Sequence, residues 1–246
     1  MMKQNSFDLH FENGGFWEYY RALEQQFEDF LNYVPYLEGN EKTYSFKLLN
    51  IFLSICAHID SAFKELARYP KFADIDSCKE VLDRTSDKLG IIVSGIRAFE
   101  EIYAISSMTV TFKVLPNRIS ITPFNCQKPQ WWDFYNDLKH DISVNLTKAN
   151  LENVRDALAG AFLLNVIHEP AALRLYDYNI LKPNYPQGET FWAPTYDSFR
   201  GKQRKNRPTH EPIEDAFTIE TSLFSFDYET AKKILDSQGK YRKYEK

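Results

Sequence analysis

The segment 148–168 constrains the fold of this chain more than any other, because its second half is apolar on nearly every side of a helix. A helix without a polar face has to be covered all round by other elements. The segment therefore predicts the central helix of a bundle. Its apolar positions are Leu151, Val154, Leu158, Ala161, Phe162, Leu164 and Ile167.

Two amphipathic helices are predicted to precede this segment. Apolar residues recur every three or four positions over 17–34 and again over 48–66, and Pro35 and Pro70 end the two patterns. The connection between the two helices, residues 35–42, is short. We therefore expect them to pack antiparallel.

A third helix is predicted from the spacing of Ser77 and Glu80, which is that of a capping box. The apolar pattern that begins there continues to Ile102. Gly90 and Gly95 lie inside this run, and glycine costs about 1 kcal/mol relative to alanine within a helix. We expect a kink or close packing at these two positions.

The periodicity then changes from helical to alternating at about 108–123. Residues 109–114 and 118–122 alternate with a period of two on either side of a Leu-Pro-Asn turn, which predicts a β-hairpin. A helix is predicted again at about 130–141, shortly before the central helix.

The C-terminal third differs in composition from the rest of the chain. Six of the eleven prolines lie in 170–212 and predict a long irregular segment. One strand is predicted at 217–226 and a short helix at 227–237. The predicted fold is mainly α: an antiparallel helical bundle over 1–169 with a β-hairpin insertion, followed by a mixed, partly irregular extension over 170–246.

Several classes of protein are excluded by composition and motifs. Nine glycines among 246 residues are few for a fold built on glycine-rich phosphate loops. Gly90 and Gly95 have the spacing of half such a loop, but Ile96 and Arg97 follow where lysine and serine or threonine are needed. The motifs of dinucleotide-binding proteins, zinc proteases and serine hydrolases do not occur. We expect no cofactor and no metal ion.

The compartment is predicted from the cysteines and the apolar runs. Cys56, Cys78 and Cys126 are widely spaced, as is typical of free thiols in a reducing cytoplasm. The longest uncharged apolar stretches, 48–59 and 157–168, fall short of the roughly 18–20 residues that a membrane-spanning helix needs. We expect a cytoplasmic protein that does not enter a membrane.

The candidate functional residues lie on the helix predicted at 130–141. Asn136, Lys139 and His140 have the spacing i, i+3 and i+4, so they are predicted to share one face, with Trp132 one turn earlier. An amide, an ammonium and an imidazole on one surface can orient a phosphate, neutralise its charge and exchange a proton near neutral pH. The apolar stripe of this helix is predicted to consist of Trp131, Phe134 and Leu138.

An ordinary surface helix is the alternative interpretation of the same residues. Polar side chains are expected on any exposed face, and a histidine near a helix C-terminus interacts favourably with the helix dipole. His58, Asp60 and Lys64 also lie together in the sequence. The spacing of Asp60 and Lys64 predicts a surface ion pair; the alternative is that this pair supports His140.

Two features of the extension could contact nucleic acid. Five basic residues are crowded into eight positions and could follow a phosphate backbone, although a solvated linker has the same composition. They are Arg200, Lys202, Arg204, Lys205 and Arg207. A set of aromatic residues could stack on bases or pack against the bundle. They are Tyr176, Tyr178, Tyr185, Phe191, Trp192 and Tyr196.

The order Tyr135-Asn136-x-x-Lys139-His140, on a helix that is followed by a long apolar helix, resembles the HEPN superfamily. The first half of the chain is similar to uncharacterised bacterial HEPN-like proteins, and the similarity covers roughly 14–168. The residues that carry it are Tyr20-Arg21-x-Leu23-Glu24, Asn40, Tyr44-Ser45 and Ile59-Asp60-x-x-Phe63-Lys64.

The resemblance implies a helical bundle, often dimeric, and in active relatives metal-independent RNA cleavage by the neighbouring 2′-hydroxyl. His140 would transfer the proton, Asn136 would orient it or the phosphate, and Lys139 would replace the charge of the family's arginine, whose position is occupied by Tyr135. The implied function is that of an RNA-directed protein, an endoribonuclease of prokaryotic stress or phage defence, whose partners are RNA, a second copy and a protein encoded nearby. A non-catalytic binding or dimerisation scaffold is the alternative.

Overall fold

The structure is a computed structural model and describes residues 15–68, 75–83, 90–114, 117–126, 128–167, 181–183 and 217–227. This part of the chain is mainly helical and contains a small antiparallel sheet, as predicted. Its helices are α1 (Gly15–Leu31), α2 (Phe46–Ala67), α3 (Asp76–Leu82), α4 (Gly90–Tyr103), α5 (Gln130–His140), α6 (Ile142–Asn145) and α7 (Leu151–Ile167).

The sheet has five strands in the order β2-β1-β5-β4-β3, and each neighbouring pair is antiparallel. The predicted hairpin is confirmed, with Val110 opposite Ile121 and Val114 opposite Asn117. The strands are β1 (Val110–Val114), β2 (Asn117–Ile121), β3 (Leu181–Pro183), β4 (Phe217–Glu220) and β5 (Phe224–Asp227).

Helix α7 lies at the centre of the molecule, which confirms the prediction from its apolar sequence. All of its seventeen residues are buried except Glu152 and Asp156, which are half-buried. Phe162 contacts α1 through Tyr20 and contacts the sheet through Phe224. A residue in this position is covered from several directions at once, as the absence of a polar face required.

The helices around α7 are not all antiparallel. Helix α1 runs antiparallel to α2, since its first turns lie against His58 while its end is joined to the start of α2. Helices α2 and α7 run parallel, because Thr43 accepts a backbone hydrogen bond from Leu151 at their N-terminal ends and His58 contacts Asn165 further along both. The prediction of an antiparallel bundle therefore holds for α1 and is wrong for this central pair.

The prediction of one continuous third helix was wrong. Two helices, α3 and α4, occupy its range. Gly90, the first residue of α4, has a φ of 71°, a left-handed conformation that cannot occur in the interior of an α-helix. Ser77 does not cap α3, which begins at Asp76; its hydroxyl instead donates to Glu101 Oε2 at 3.0 Å. The expected close packing is present at Gly95, where an added Cβ would lie 2.6 Å from the ring of Phe63.

The C-terminal extension contributes strands to the same sheet as the predicted hairpin. The single strand predicted at 217–226 is two strands, because the chain turns at Thr221, whose N–H donates to the carbonyl of Phe224 at 2.8 Å. Residues 181–183 form a strand within the segment predicted to be irregular. The helix predicted at 227–237 falls almost entirely outside the described residues.

A buried carboxylate joins the extension to the bundle. Glu24 of α1 is fully buried and accepts hydrogen bonds from the Thr221 hydroxyl and, at 3.2 Å, from the backbone N–H of Leu223. Arg21 forms an ion pair with the same carboxylate. A buried charge is tolerated only when it is paired and hydrogen-bonded, so this contact fixes the turn between β4 and β5 on α1.

By length and composition, α2 is the one helix in the described part of the chain that could cross a membrane. The sequence had led us to expect no such helix. Twelve of its residues are buried, among them Phe52 and Phe63, and they pack mainly against α1, α4 and α7. Its central place in the core is a sufficient reason for its apolar composition.

The His58–Asn165 contact predicts an acid-sensitive stability. Asn165 Nδ2 lies 3.0 Å from His58 Nε2, and burial lowers the pKa of His58 to about 4. Between about pH 6.5, the ordinary histidine pKa, and pH 4, the unfolded chain therefore binds one more proton than the folded chain. The free energy of unfolding falls by about 3 kcal/mol as the pH is lowered through this range. The variant His58→Gln retains an acceptor for Asn165 but does not titrate. Its free energy of unfolding, measured in urea, should lack this fall between pH 6.5 and 4.

The exposed His140 provides the matched control for this measurement. His140→Gln should keep the acid-dependent loss of wild type, since His58 is intact. If the free energy of unfolding depended on pH equally in His58→Gln and wild type, His58 would not be the source of the acid sensitivity.

Close packing at Gly95 gives a second prediction. Gly95→Ala should destabilise the protein, since overpacking against the fully buried Phe63 costs about 1–3 kcal/mol and exceeds the gain in helix propensity, up to about 1 kcal/mol. Ser94→Ala is the neighbouring control: its buried Oγ has no hydrogen-bond partner among the described residues, so its removal should be neutral or stabilising. Thermal melts should show a lower melting temperature for Gly95→Ala and an unchanged or higher one for Ser94→Ala; a higher melting temperature for Gly95→Ala would contradict the tight contact.

Candidate functional site

Helix α5 carries the candidate residues, and its sequence suits the dipole at both ends. It begins after Pro129, whose ring presets the backbone and whose missing N–H costs nothing at a helix start. Asp133 lies in the first turn, and Lys139 and His140 lie in the last turn. Acidic residues at the N-terminus and basic residues at the C-terminus each stabilise a helix through its macrodipole.

The buried side of α5 is wider than predicted. Trp131 and Leu138 are buried as expected, whereas Phe134 is only half-buried and lies 5.4 Å from the ammonium of Lys148. Trp132 was predicted on the polar face but is buried, in an edge-to-face contact with Trp131 at 5.9 Å. Helix α5 packs against both α2 and α7, so two neighbours cover more of its circumference than one would.

The three predicted site residues lie towards solvent. Lys139 and His140 are exposed and Asn136 is half-buried, one helical turn before His140. With the residues that the structure describes, none of the three side chains forms a hydrogen bond or an ion pair. We call this surface the α5 face. It presents an exposed imidazole, an exposed ammonium and a half-buried amide.

Tyr135 belongs to the core and not to the α5 face. It is 9% exposed and its ring lies 4.9 Å from that of Trp132. Burial raises the pKa of Tyr135, and the nearby Cys56 and Asp60 of α2 raise it further. A buried phenol that stays protonated cannot grip a phosphate as a charged group would.

Lys139 lies directly over this tyrosine. Its ammonium is 4.9 Å from the centre of the Tyr135 ring, within the range of a cation–π interaction. Its positive charge also lowers the pKa of the Cys56 thiol, although burial is the larger effect and leaves that pKa well above its ordinary value. The structure therefore places a cation above position 135, supplied from the next turn of the helix.

The C-terminal end of α5 is held by side chains that follow it. Asn145 Nδ2 donates to the carbonyl of Asp137 at 3.2 Å and to that of Asp141 at 2.9 Å. The Asp141 carboxylate caps α6 by accepting from Ser143, whose hydroxyl and backbone N–H lower the pKa of Asp141 together with the N–H of Val144. These bonds satisfy groups that a helix end leaves unpaired, so the backbone under the α5 face is well fixed.

The other predicted residues separate into two surfaces of α2. Asp60 and Lys64 form the predicted ion pair, with 2.6 Å between Oδ2 and Nζ. His58 is 3% exposed and contacts Asn165. Residues two apart on a helix point about 200° apart, so His58 faces away from the side that Asp60 presents to α5. The alternative, that Asp60 and Lys64 support His140, has no hydrogen bond or ion pair to His140 behind it among the described residues.

Several predicted features fall on residues outside the described part of the chain. The basic run from Arg200 to Arg207 and the aromatic residues from Tyr176 to Tyr196 lie outside it. Within the described ranges, no group of three or more histidine, cysteine, aspartate or glutamate residues could hold a metal ion. Cys56 and Cys78 are buried free thiols, and Cys126 is an exposed one.

A polar cluster on α7 was not predicted. Arg155 is 9% exposed, donates to Asp156 Oδ1 at 2.7 Å through Nε, and donates to the hydroxyl of Tyr36. Burial raises the pKa of Tyr36 to about 12 and also raises that of Asp156. The sequence feature that could have indicated this cluster is an arginine inside the most apolar segment of the chain. Since its donors are used internally, the cluster fixes Tyr36 to α7 and is not an open site.

The hydrogen bonds from Asn145 allow the backbone under the α5 face to be destabilised without a substitution in the face itself. Asn145→Ala should leave two carbonyls at the end of α5 without this partner, costing about 1–2 kcal/mol. Amide exchange at 138–141 should accelerate by about tenfold, because the last turn opens more easily. The exposed neighbour Thr147→Ala should leave exchange unchanged. Protection equal to wild type in Asn145→Ala would show that the cap does not hold this turn.

The α5 face thus combines three groups that can act on a phosphate with a backbone that is fixed beneath them. Its function has to be inferred from this chemistry, because no protein-family model, no curated protein and no solved structure matches the chain.

Proposed function

We propose that this chain is an RNA-directed protein of HEPN type that binds RNA at the α5 face and cleaves it without a metal ion. The observation that carries the proposal is the exposure of His140 on the same face as Asn136 and next to Lys139. Histidine is the side chain best suited to exchange protons near neutral pH, and it needs solvent or substrate access to do so.

The chemistry requires three functions, and each has a candidate on the α5 face. His140 takes the proton of a ribose 2′-hydroxyl, and the 2′ oxygen attacks the adjacent phosphorus. The bond from phosphorus to the 5′ oxygen breaks, a cyclic phosphate forms, and the 5′ oxygen takes a proton from solvent. Asn136 orients the phosphate with its amide, and Lys139 offsets the negative charge that develops on it.

The contact between Lys139 and Tyr135 supports this assignment. The resemblance puts an arginine at position 135, and here the ammonium of Lys139 lies 4.9 Å above that residue's ring. A positive charge is thus present beside His140 despite the substitution. It acts as a point charge, without the bidentate geometry of a guanidinium.

A non-catalytic RNA-binding module is the second candidate, and the burial of Tyr135 favours it. The residue at the arginine position is committed to the core against Trp132. Lysine and asparagine on an open surface are sufficient to bind a phosphate backbone, while transition-state stabilisation needs groups fixed around the reacting phosphorus.

Cleavage in the presence of EDTA tests the proposal. Purified protein at micromolar concentration should cut mixed RNA or tRNA in EDTA and leave the 2′-deoxy analogue intact, because the analogue lacks the nucleophile. His140→Ala should lower the rate by about 10²–10⁴-fold, the usual contribution of a general base, with an unchanged melting temperature. His140→Ala that cuts at the wild-type rate would show that the site is assigned wrongly.

Binding separates the two candidates. Lys139→Ala should weaken RNA binding and reduce the slope of log K against log salt by about 1, because one phosphate contact is lost. Lys47→Ala removes an exposed lysine in the first turn of α2, which is not part of the α5 face, and should change neither quantity. Binding that depends on Lys139 without any cleavage would favour the non-catalytic module, and the absence of both would overturn the proposal.

A further inference from the structure

The hairpin formed by β1 and β2 has one apolar side and one polar side. Val110, Phe112 and Ile121 are buried, and the ring of Phe112 lies 5.3 Å from that of Phe224 in β5. Because side chains alternate along a strand, the residues between them lie on the opposite side of the hairpin. We call that side the hairpin face. Its side chains are Thr109, Thr111, Lys113, Arg118, Ser120 and Thr122.

The strand register shows that these side chains form one continuous surface. The cross-strand pairs are Thr109 with Thr122, Thr111 with Ser120, and Lys113 with Arg118. In the first of these pairs the two Oγ1 atoms are 3.3 Å apart. Residues directly opposite each other in an antiparallel pair have Cβ atoms about 4.5–5.5 Å apart, so each pair is within contact distance and follows the previous one along the strands.

The chemistry of the hairpin face matches a phosphate backbone. Every one of its side chains can donate a hydrogen bond, and none is acidic or aromatic. Arginine, lysine, serine and threonine are among the side chains that contact phosphate oxygens in nucleic-acid complexes. Stacking on bases would need an aromatic side chain, and binding to a lipid surface would need large apolar ones.

The charge of the hairpin face is positive at the end nearer the turn. Lys113 and Arg118 lie opposite each other there, and like charges in this position destabilise a strand pair. An anion bound between them offsets that repulsion. The acidic residues of the described strands, Glu220 and Asp227, belong to β4 and β5 and not to the hairpin. The hairpin side of the sheet is therefore complementary to a polyanion.

Arg118 is the more accessible of the two cations. It is exposed, whereas Lys113 is half-buried. With the residues that the structure describes, Arg118 forms no hydrogen bond or ion pair. Its guanidinium is thus available to bind a phosphate through two parallel hydrogen bonds.

The hairpin is fixed to the rest of the bundle. Nε1 of Trp131 at the start of α5 donates to the carbonyl of Pro123, which directly follows Thr122, at 3.2 Å. The next residue, Phe124, is fully buried, and its ring lies 6.0 Å from that of Trp131. The hairpin face is therefore held in place before a partner binds, which reduces the entropy lost on association.

We propose that the hairpin face binds the phosphate backbone of a polynucleotide and does not distinguish RNA from DNA. Phosphate groups are the same in both, and contacts to them carry no sequence information. The hairpin face lies on a different element from the α5 face. Its binding therefore requires neither cleavage nor the residues of α5.

Fluorescence anisotropy with a short labelled single-stranded DNA tests the proposal, because DNA lacks the 2′-hydroxyl. Wild type should bind with a Kd of about 10⁻⁶–10⁻⁴ M at physiological salt. Arg118→Gln should weaken binding about tenfold and reduce the slope of log K against log salt by about 1. Ser120→Asp should weaken binding at least about tenfold, since it places a carboxylate among the phosphate contacts. RNA of the same sequence, measured in the His140→Ala background, should show the same losses.

Two further variants are controls. Arg97→Gln removes the same charge from α4, where Arg97 is paired with Glu80, and should leave binding unchanged. In a Lys139→Ala background, Arg118→Gln should weaken binding by the same factor as in wild type, because distant and independent sites act additively. Melting curves check that each variant is folded.

The contrary outcomes are distinct. Wild type that binds neither polynucleotide, unchanged binding in Arg118→Gln and Ser120→Asp, or an equal loss in Arg97→Gln would each overturn the proposal. Polyglutamate that competes as well as DNA at equal charge would indicate an acidic protein partner and also overturn it. A loss in Arg118→Gln that is confined to RNA would contradict binding to the backbone alone. Absence of RNA cleavage would count against the α5 face and leave the hairpin face standing.

Discussion

The complete burial of α7 is the constraint on which the rest of the structure depends. A seventeen-residue helix without a solvent face needs neighbours on every side, and α1, α2, α5 and the sheet provide them. Gly160 allows a close approach of Trp131 of α5 and of Phe124, which precedes α5, since an added Cβ would lie 3.4 Å and 3.1 Å from them. Polar groups within the helix must then find partners inside the protein, and Asn165 and Arg155 find them on His58 and Tyr36.

These internal partners determine the direction of the chain as well as its packing. Leu151 and Asn165 of α7 are separated by nearly the same number of residues as their partners, Thr43 and His58. Both contacts can therefore form only if α2 runs parallel to α7. Parallel neighbours cannot be joined by a short loop. The chain between them instead builds α3, α4, the hairpin and α5, which places α5 against both members of the pair. The breadth of its buried side follows, and with it the burial of Trp132 and Tyr135.

Local patterns were sufficient to predict part of this arrangement. The periodicity of α1, α2 and α7 and the alternation of the hairpin are properties of short windows, and these elements were found close to their predicted positions. The break before Gly90 depends on one positive φ, and the buried Glu24 depends on Thr221, 197 residues away. The α5 face was predicted from spacing alone. That Trp132 turns inward depends on the neighbours of α5 and could not be derived from the α5 sequence, whereas the contact of Lys139 with Tyr135 follows from their i, i+4 spacing.

The same parallel pair determines where the α1–α2 connection and helix α5 lie. Arg155 on α7 fixes Tyr36, and so the connection between α1 and α2, at the N-terminal end of the pair. Helix α5 lies further along, where the charge of Lys139 lowers the pKa of the Cys56 thiol. Because both are attached to a core that cannot deform without exposing α7, their separation along α2 is fixed by the helix rise and not by a linker.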